Sequence, residues 1–156
     1  LSEQGHIDLL VNNAWGGSAC EAWVRRDLLA ADAKYQPLLE RWAQMEKTFD
    51  ELSKKSNPSD EEKKQLGQLQ GQMRGNSRPA NIYNGVLKSH LGYGIRGAIW
   101  YQGESNAGRA YQYRDLFPLM IESWRAEWGQ GDFPFYCVQL ADFMAERPEP
   151  GRRRMP

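Results

Sequence analysis

Residues 96–106 read RGAIWYQGESN, a short apolar run bounded by glycine that passes straight into an amide, a carboxylate and a second amide within five positions. Arg96–Tyr101 predicts a strand, and Gln102–Asn106 predicts a functional loop at its carboxyl end. Downstream, Arg109–Trp128 sets Tyr113, Leu116, Phe117, Met120, Ile121, Trp124 and Trp128 on one stripe, which predicts a helix that Pro118 either kinks or restarts. Phe133–Leu140 (FPFYCVQL) predicts the next buried strand, with Pro134 tolerated near its start. Upstream, Ile7–Ala14 (IDLLVNNA) predicts a strand running into the turn Trp15-Gly16-Gly17. Strands separated by helices imply a parallel sheet of α/β type, and one domain over 1–156 is the expectation.

Between these blocks the period changes. Glu21–Ala31 has helical spacing in Trp23, Leu28 and Leu29. From Tyr35, the residues Leu38, Trp42, Met45, Phe49 and Leu52 follow in alternating steps of three and four, the seam of a helix that packs on another helix. Asn57-Pro58-Ser59 breaks it. Ser59 with Glu62 three residues later is a capping-box signature, and the helix it starts carries Leu66, Leu69 and Met73. The two helices predict a hairpin inserted over Asp32–Gly75, its crowded Lys, Glu and Gln positions forming a solvated face. Arg74–Asn81 reads as a loop and Tyr83–Leu91 as a short helix.

Composition narrows the class. Lys and Arg together number 20, as do Asp and Glu, so no basic field draws the chain to nucleic acid. No stretch is long and apolar enough to span a membrane. Cys20 and Cys137 match no disulfide or metal framework and read as free. No cofactor and no metal are expected. The 6 Trp and 7 Tyr supply core mass, and also flat faces of the kind on which sugar rings rest. Leu1 at the start and the Pro- and Arg-rich residues 147–156 at the end predict a piece of a larger domain. Compartment and oligomeric state stay open; a signal for secretion or periplasmic export is expected, if anywhere, before Leu1.

In open parallel sheets the ligand crevice lies at the carboxyl ends of the strands, where both unusual loops fall. Acyl transfer needs N–H donors aimed at a developing oxyanion, and glycine lets backbone approach a ligand closely, which suits Gly16 and Gly17. Gln102, Glu104 and Asn106 offer donors for an oxyanion and an acceptor that can orient a histidine. Read alone, the Gly-Gly pair is an ordinary turn, and Ser105 or Asn106 can simply cap the following helix.

The blocks Asn13-Ala14-Trp15-Gly16-Gly17-Ser18 with Glu21-Ala22-Trp23, Tyr83-Asn84-Gly85-Val86, Ile99–Ala107 (IWYQGESNA), Phe133–Tyr136 (FPFY) and Val138–Ala141 (VQLA) resemble, in order and spacing, the sialate O-acetylesterase family of SGNH hydrolases. The resemblance implies a flavodoxin-like three-layer sandwich in which a histidine-activated serine attacks an O-acetyl ester on a sugar. It implies a backbone oxyanion donor from the Gly16-Gly17 loop, a side-chain donor in Gln102 and a histidine-supporting carboxylate in Glu104. Trp15 and Asn106 are expected on the substrate side, with Asn106 also bracing its loop. The partner implied is an O-acetylated carbohydrate.

The same resemblance implies that the nucleophilic serine lies upstream of these residues and the histidine downstream, in an Asp-x-x-His block. His6 and His90 read as structural. Gly103-Glu104-Ser105-Asn106-Ala107 nearly spells a nucleophile elbow, which makes Ser105 a rival nucleophile, but no histidine follows His90. A non-catalytic carbohydrate-binding remnant and a helical interaction module are the other readings.

Overall fold

Local chemistry sets where each helix starts and stops. The structure, a computed structural model, describes residues 10–141. A 3₁₀ turn at Cys20–Trp23 leads into the short helix α1 (Arg26–Ala30). Helix α2 (Gln36–Ser53) has proline in its first turn, where a missing N–H costs nothing. Helix α3 (Asp60–Met73) opens on a complete capping box: Glu62 N donates to Ser59 Oγ at 3.2 Å, and Ser59 N donates to Glu62 Oε2 at 2.9 Å. The two helices pack as a hairpin, with Leu38, Trp42 and Met73 buried between them and Met45 and Phe49 at the margin.

Helix α4 (Asn81–Gly85) and a 3₁₀ turn at Leu87–His90 occupy the stretch expected as one short helix. Val86, at φ −128° and ψ −63°, interrupts it. Helix α5 (Ala110–Trp128) runs unbroken through Pro118 and ends at Gly129 in the left-handed conformation. The restart expected as one alternative is therefore absent.

The sheet among the described residues has two parallel strands, β1 (Ala98–Trp100) and β2 (Phe135–Cys137), in the register Ala98 with Phe135, Ile99 with Tyr136 and Trp100 with Cys137. Helix α5 is the crossover between them, so the α/β expectation holds at this coarse level. The strand expected over Ile7–Ala14 does not form over residues 10–14, and Leu10 and Val11 are exposed. An extended segment needs a ladder partner for its N–H and C=O groups, and β1 and β2 pair only with each other here. Residues 7–9, His6 and residues 147–156 lie outside the described residues.

One face of this sheet is buried. Trp100 makes edge-to-face contacts with Trp23 and Trp124, at centroid distances of 5.4 and 5.6 Å, and Phe135 leans on both Trp100 and Trp124. Leu116 and Met120 of α5 pack into the same cluster with Cys20, Val24, Leu29 and Tyr35. Most tryptophans thus serve as core mass, while Trp15 stays half exposed. On the opposite face Ile99, Tyr101, Tyr136 and Val138 are all exposed. Leu39 of α2 joins the main core, and Glu46 of the same helix binds both Arg26, at 2.7 Å, and Arg78, at 3.0 Å. The base of the hairpin is therefore anchored to the main core.

Candidate active site

The Gly16–Cys20 segment and the QGESN loop are far apart in sequence and stitched together in space. Gln102 Nε2 donates to the Ser18 carbonyl at 2.8 Å, Ser105 Oγ to the Gly17 carbonyl at 2.9 Å, and the Cys20 N–H to Asn106 Oδ1 at 2.8 Å. The loops expected to share one crevice are adjacent. Their adjacency comes from these cross-bonds, with β1 as the only strand leading into the pair among the described residues.

Backbone geometry explains two glycines. Gly17 has φ +67°, and a Cβ there would sit 3.3 Å from Asn76 Nδ2, which donates to the Gly16 carbonyl at 2.7 Å. Gly103 has φ +154°, a conformation that side-chain-bearing residues rarely adopt, and a Cβ there would sit 2.8 Å from Leu140 Cδ1, so the Leu140 side chain would have to move. Gly16 and Gly17 are exposed, and no hydrogen-bond partner of either N–H lies among the described residues. That leaves two backbone donors open to a ligand.

Gln102 is held from three sides. Besides Ser18 O, its Nε2 donates to Asn106 Oδ1 at 2.8 Å, and its backbone carbonyl accepts from Tyr113 Oη at 3.2 Å. Asn106 Oδ1 already accepts the Cys20 N–H, which fixes that atom as oxygen and fixes the end of Gln102 that faces it as nitrogen. Gln102 Oε1 is buried with no partner among the described residues. Asn106 itself is 1 % exposed, and its remaining amide group donates to Glu21 Oε2 at 2.9 Å. Every polar side-chain atom of Asn106 thus has a partner within the protein.

Glu104 heads the 3₁₀ turn Glu104–Arg109 with its side chain in solvent, and Trp15 flanks the glycine turn, half exposed. His90 is engaged elsewhere: its Nδ1 lies 2.9 Å from the Val86 carbonyl and 3.3 Å from both Ser89 Oγ and Asn13 Nδ2. Ser105 spends its hydroxyl on Gly17 and has no imidazole partner among the described residues. Burial, and secondarily Glu21, push the Cys20 thiol up, so it stays neutral within the core, while Cys137 is free and exposed. Among the described residues no group of three or more His, Cys, Asp or Glu could hold a metal, and no helix is long and apolar enough to cross a membrane.

Sequence reasoning missed two residues of this junction. Glu21, 1 % exposed, accepts from Arg109 Nη2 at 2.5 Å as well as from Asn106, and its backbone carbonyl accepts the Ala80 N–H. Its signal was present: one carboxylate inside the otherwise apolar run Ala19–Val24 demands a buried partner. Arg109 looked like an ordinary helix start. The hydroxyl of Ser18, at the end of the glycine turn, accepts the Trp23 indole N–H at 3.0 Å and so joins that turn to the aromatic core.

The model of the family described as carbohydrate esterase, sialic acid-specific acetylesterase, matches residues 71–154, which include the whole QGESN loop and both strands. The sialate O-acetylesterase of Mus musculus is 31 % identical over 143 residues, covering 86 % of this chain and 26 % of that protein. That of Homo sapiens is 26 % identical over 147 residues, covering 88 % and 23 %. The chain therefore spans about a quarter of the length of the curated relatives it matches. No solved structure matches it. With the family matched across the loop and strands that build the junction, the chain belongs to the sialic acid-specific acetylesterase family of carbohydrate esterases.

Proposed function

We propose that the protein carrying this chain is a serine-dependent carbohydrate O-acetylesterase that removes O-acetyl groups from sialic acid or related glycans. The observation that carries this reading is the cross-bonded junction, which ties the glycine turn, with its two open backbone N–H groups, to the loop that holds the Gln102 amide. In the reaction, a serine oxygen adds to the acetyl carbonyl, the sugar hydroxyl leaves with a proton returned by histidine, and water then releases acetate. The charge that develops on the carbonyl oxygen needs donors already in position. Gly16 and Gly17 supply backbone N–H groups. Gln102 supplies one side-chain N–H by exchanging its Ser18 bond for the oxyanion while keeping its Asn106 bond.

Glu104, exposed beside this junction, orients the histidine, and Trp15 offers an apolar face to the sugar. Asn106 braces. Since His90 and Ser105 are committed to other partners, the nucleophilic serine and the histidine are assigned to sequence outside these residues. The same reading assigns the chain to a flavodoxin-like three-layer sandwich with the hairpin inserted over Asp32–Gly75. The exposed apolar row Ile99, Tyr101, Tyr136 and Val138 supports a further covering layer, because parallel sheets are covered on both faces.

Acetate release from an O-acetylated sialic acid tests the proposal. The complete protein should release it and lose the activity to a serine-directed phosphonate. Turnover by these 156 residues alone, abolished by Ser105→Ala, would instead put the nucleophile within the QGESN loop.

A further inference from the structure

We propose that Glu21 and Arg109 form a positioning pair that sets the orientation of Gln102 through Asn106. The proposal rests on the esterase reading above and adds residues to its machinery. Each bond in the chain of contacts allows only one polarity. A carboxylate only accepts, so Asn106 must turn its amide nitrogen to Glu21, at 2.9 Å. Its oxygen then faces the other way, toward the Cys20 N–H and Gln102, both at 2.8 Å. An oxygen there requires Gln102 to present its nitrogen. The second hydrogen of that nitrogen is consequently aimed along the Gly16–Ser18 backbone, where the candidate backbone donors stand.

A carboxylate out of water needs a counter-charge, and Arg109 provides it at 2.5 Å from Glu21 Oε1. Arg109 is in turn fixed by Gln112, in the first turn of α5, at 2.8 Å. The whole relay runs from a helix start, through a buried charge, to the one amide that faces the candidate oxyanion. Remove the charge and only the Cys20 N–H remains to set the Asn106 amide, and only the Ser18 carbonyl and Asn106 itself to set that of Gln102. Glu21 touches no substrate in this arrangement; it acts on the reaction only by orienting Gln102.

The test compares wild type, Glu21→Gln, Gln102→Ala and the double variant in the complete protein. One readout is kcat and KM with an aryl acetate; the other is the Gln102 side-chain amide signal under glutamine-selective isotope labelling. Glu21→Gln should lower kcat roughly tenfold to a hundredfold with KM little changed, as misplacement of a catalytic group does. It should also shift or broaden the Gln102 amide signal. In the Gln102→Ala background the same substitution should change kcat by no more than about a factor of two, because coupled residues are not additive. A purely structural ion pair predicts equal losses in both backgrounds, and that result overturns the proposal. So does an unchanged Gln102 signal in Glu21→Gln, whatever the activity. A wild-type protein that releases no acetate defeats the esterase reading and the catalytic role with it. Where Glu21→Gln fails to fold, Arg109→Lys keeps the charge but loses the guanidinium fork, and the same two readouts decide.

Discussion

The glycine-turn junction and the helical hairpin solve the same problem, holding distant segments together, by opposite means. At the junction, Ser18, Cys20, Glu21, Gln102, Asn106 and Arg109 interlock through directional hydrogen bonds, several of them buried. In the hairpin, Leu38, Trp42 and Met73 make a small non-directional core, and the polar links are exposed pairs such as Lys55–Glu62 and Lys63–Asp60. Hydrophobic packing tolerates small shifts, whereas a directional network fixes orientation. The difference marks where this chain needs precision.

Core and network substitutions should separate from hairpin substitutions in size and in kind. Trp100→Ala removes the ring on which Trp23, Trp124 and Phe135 converge just before the QGESN loop, and should cost about 3–5 kcal/mol in denaturant unfolding. Asn106→Ala strands the Cys20 N–H and one face of Glu21, so about 1–3 kcal/mol should be lost, together with esterase activity in the complete protein. In the hairpin, Ser59→Ala should cost about 1 kcal/mol through the lost cap and leave kcat unchanged. A kcat change there would join the two regions and break the comparison.

The smallest effect concerns the link between the regions. The Arg26 guanidinium, with Arg78 behind it, holds the Glu46 carboxyl below its usual range against a desolvation cost that acts the other way. A depressed folded-state value contributes stability that is present above the unfolded carboxylate range and lost as pH falls through the folded value. Glu46→Gln should therefore flatten the acid side of the stability curve by less than about 1 kcal/mol, as partly exposed pairs do. An unchanged acid slope would mean that the anchor is packing by Leu39 alone.

Much of this was legible in the sequence, and the reasons are physical. Helical stripes and the Ser59–Glu62 box are local signals, and α2, α3 and α5 formed where they pointed. The β1 and β2 strands also fell inside their expected stretches, shorter than read because only residues in the ladder count. Leu10–Ala14 misled, since an apolar run announces burial without supplying the partner that burial requires. At the site, glycine pairs and a polar loop stood out, yet Glu21 and Arg109 did not. They lie 88 positions apart, and no local pattern reports a buried pair at that separation. Asn106 was visible as a residue, but only the fold reveals that its amide faces Glu21 and Gln102 rather than solvent.

The most direct measurement of the central claim is kcat for acetate release by the complete protein carrying Gln102→Ala. Loss of one preorganised oxyanion donor predicts a fall of about a hundredfold or more with KM little changed. A kcat within a factor of about two of wild type would contradict the account and remove the QGESN loop from the active site.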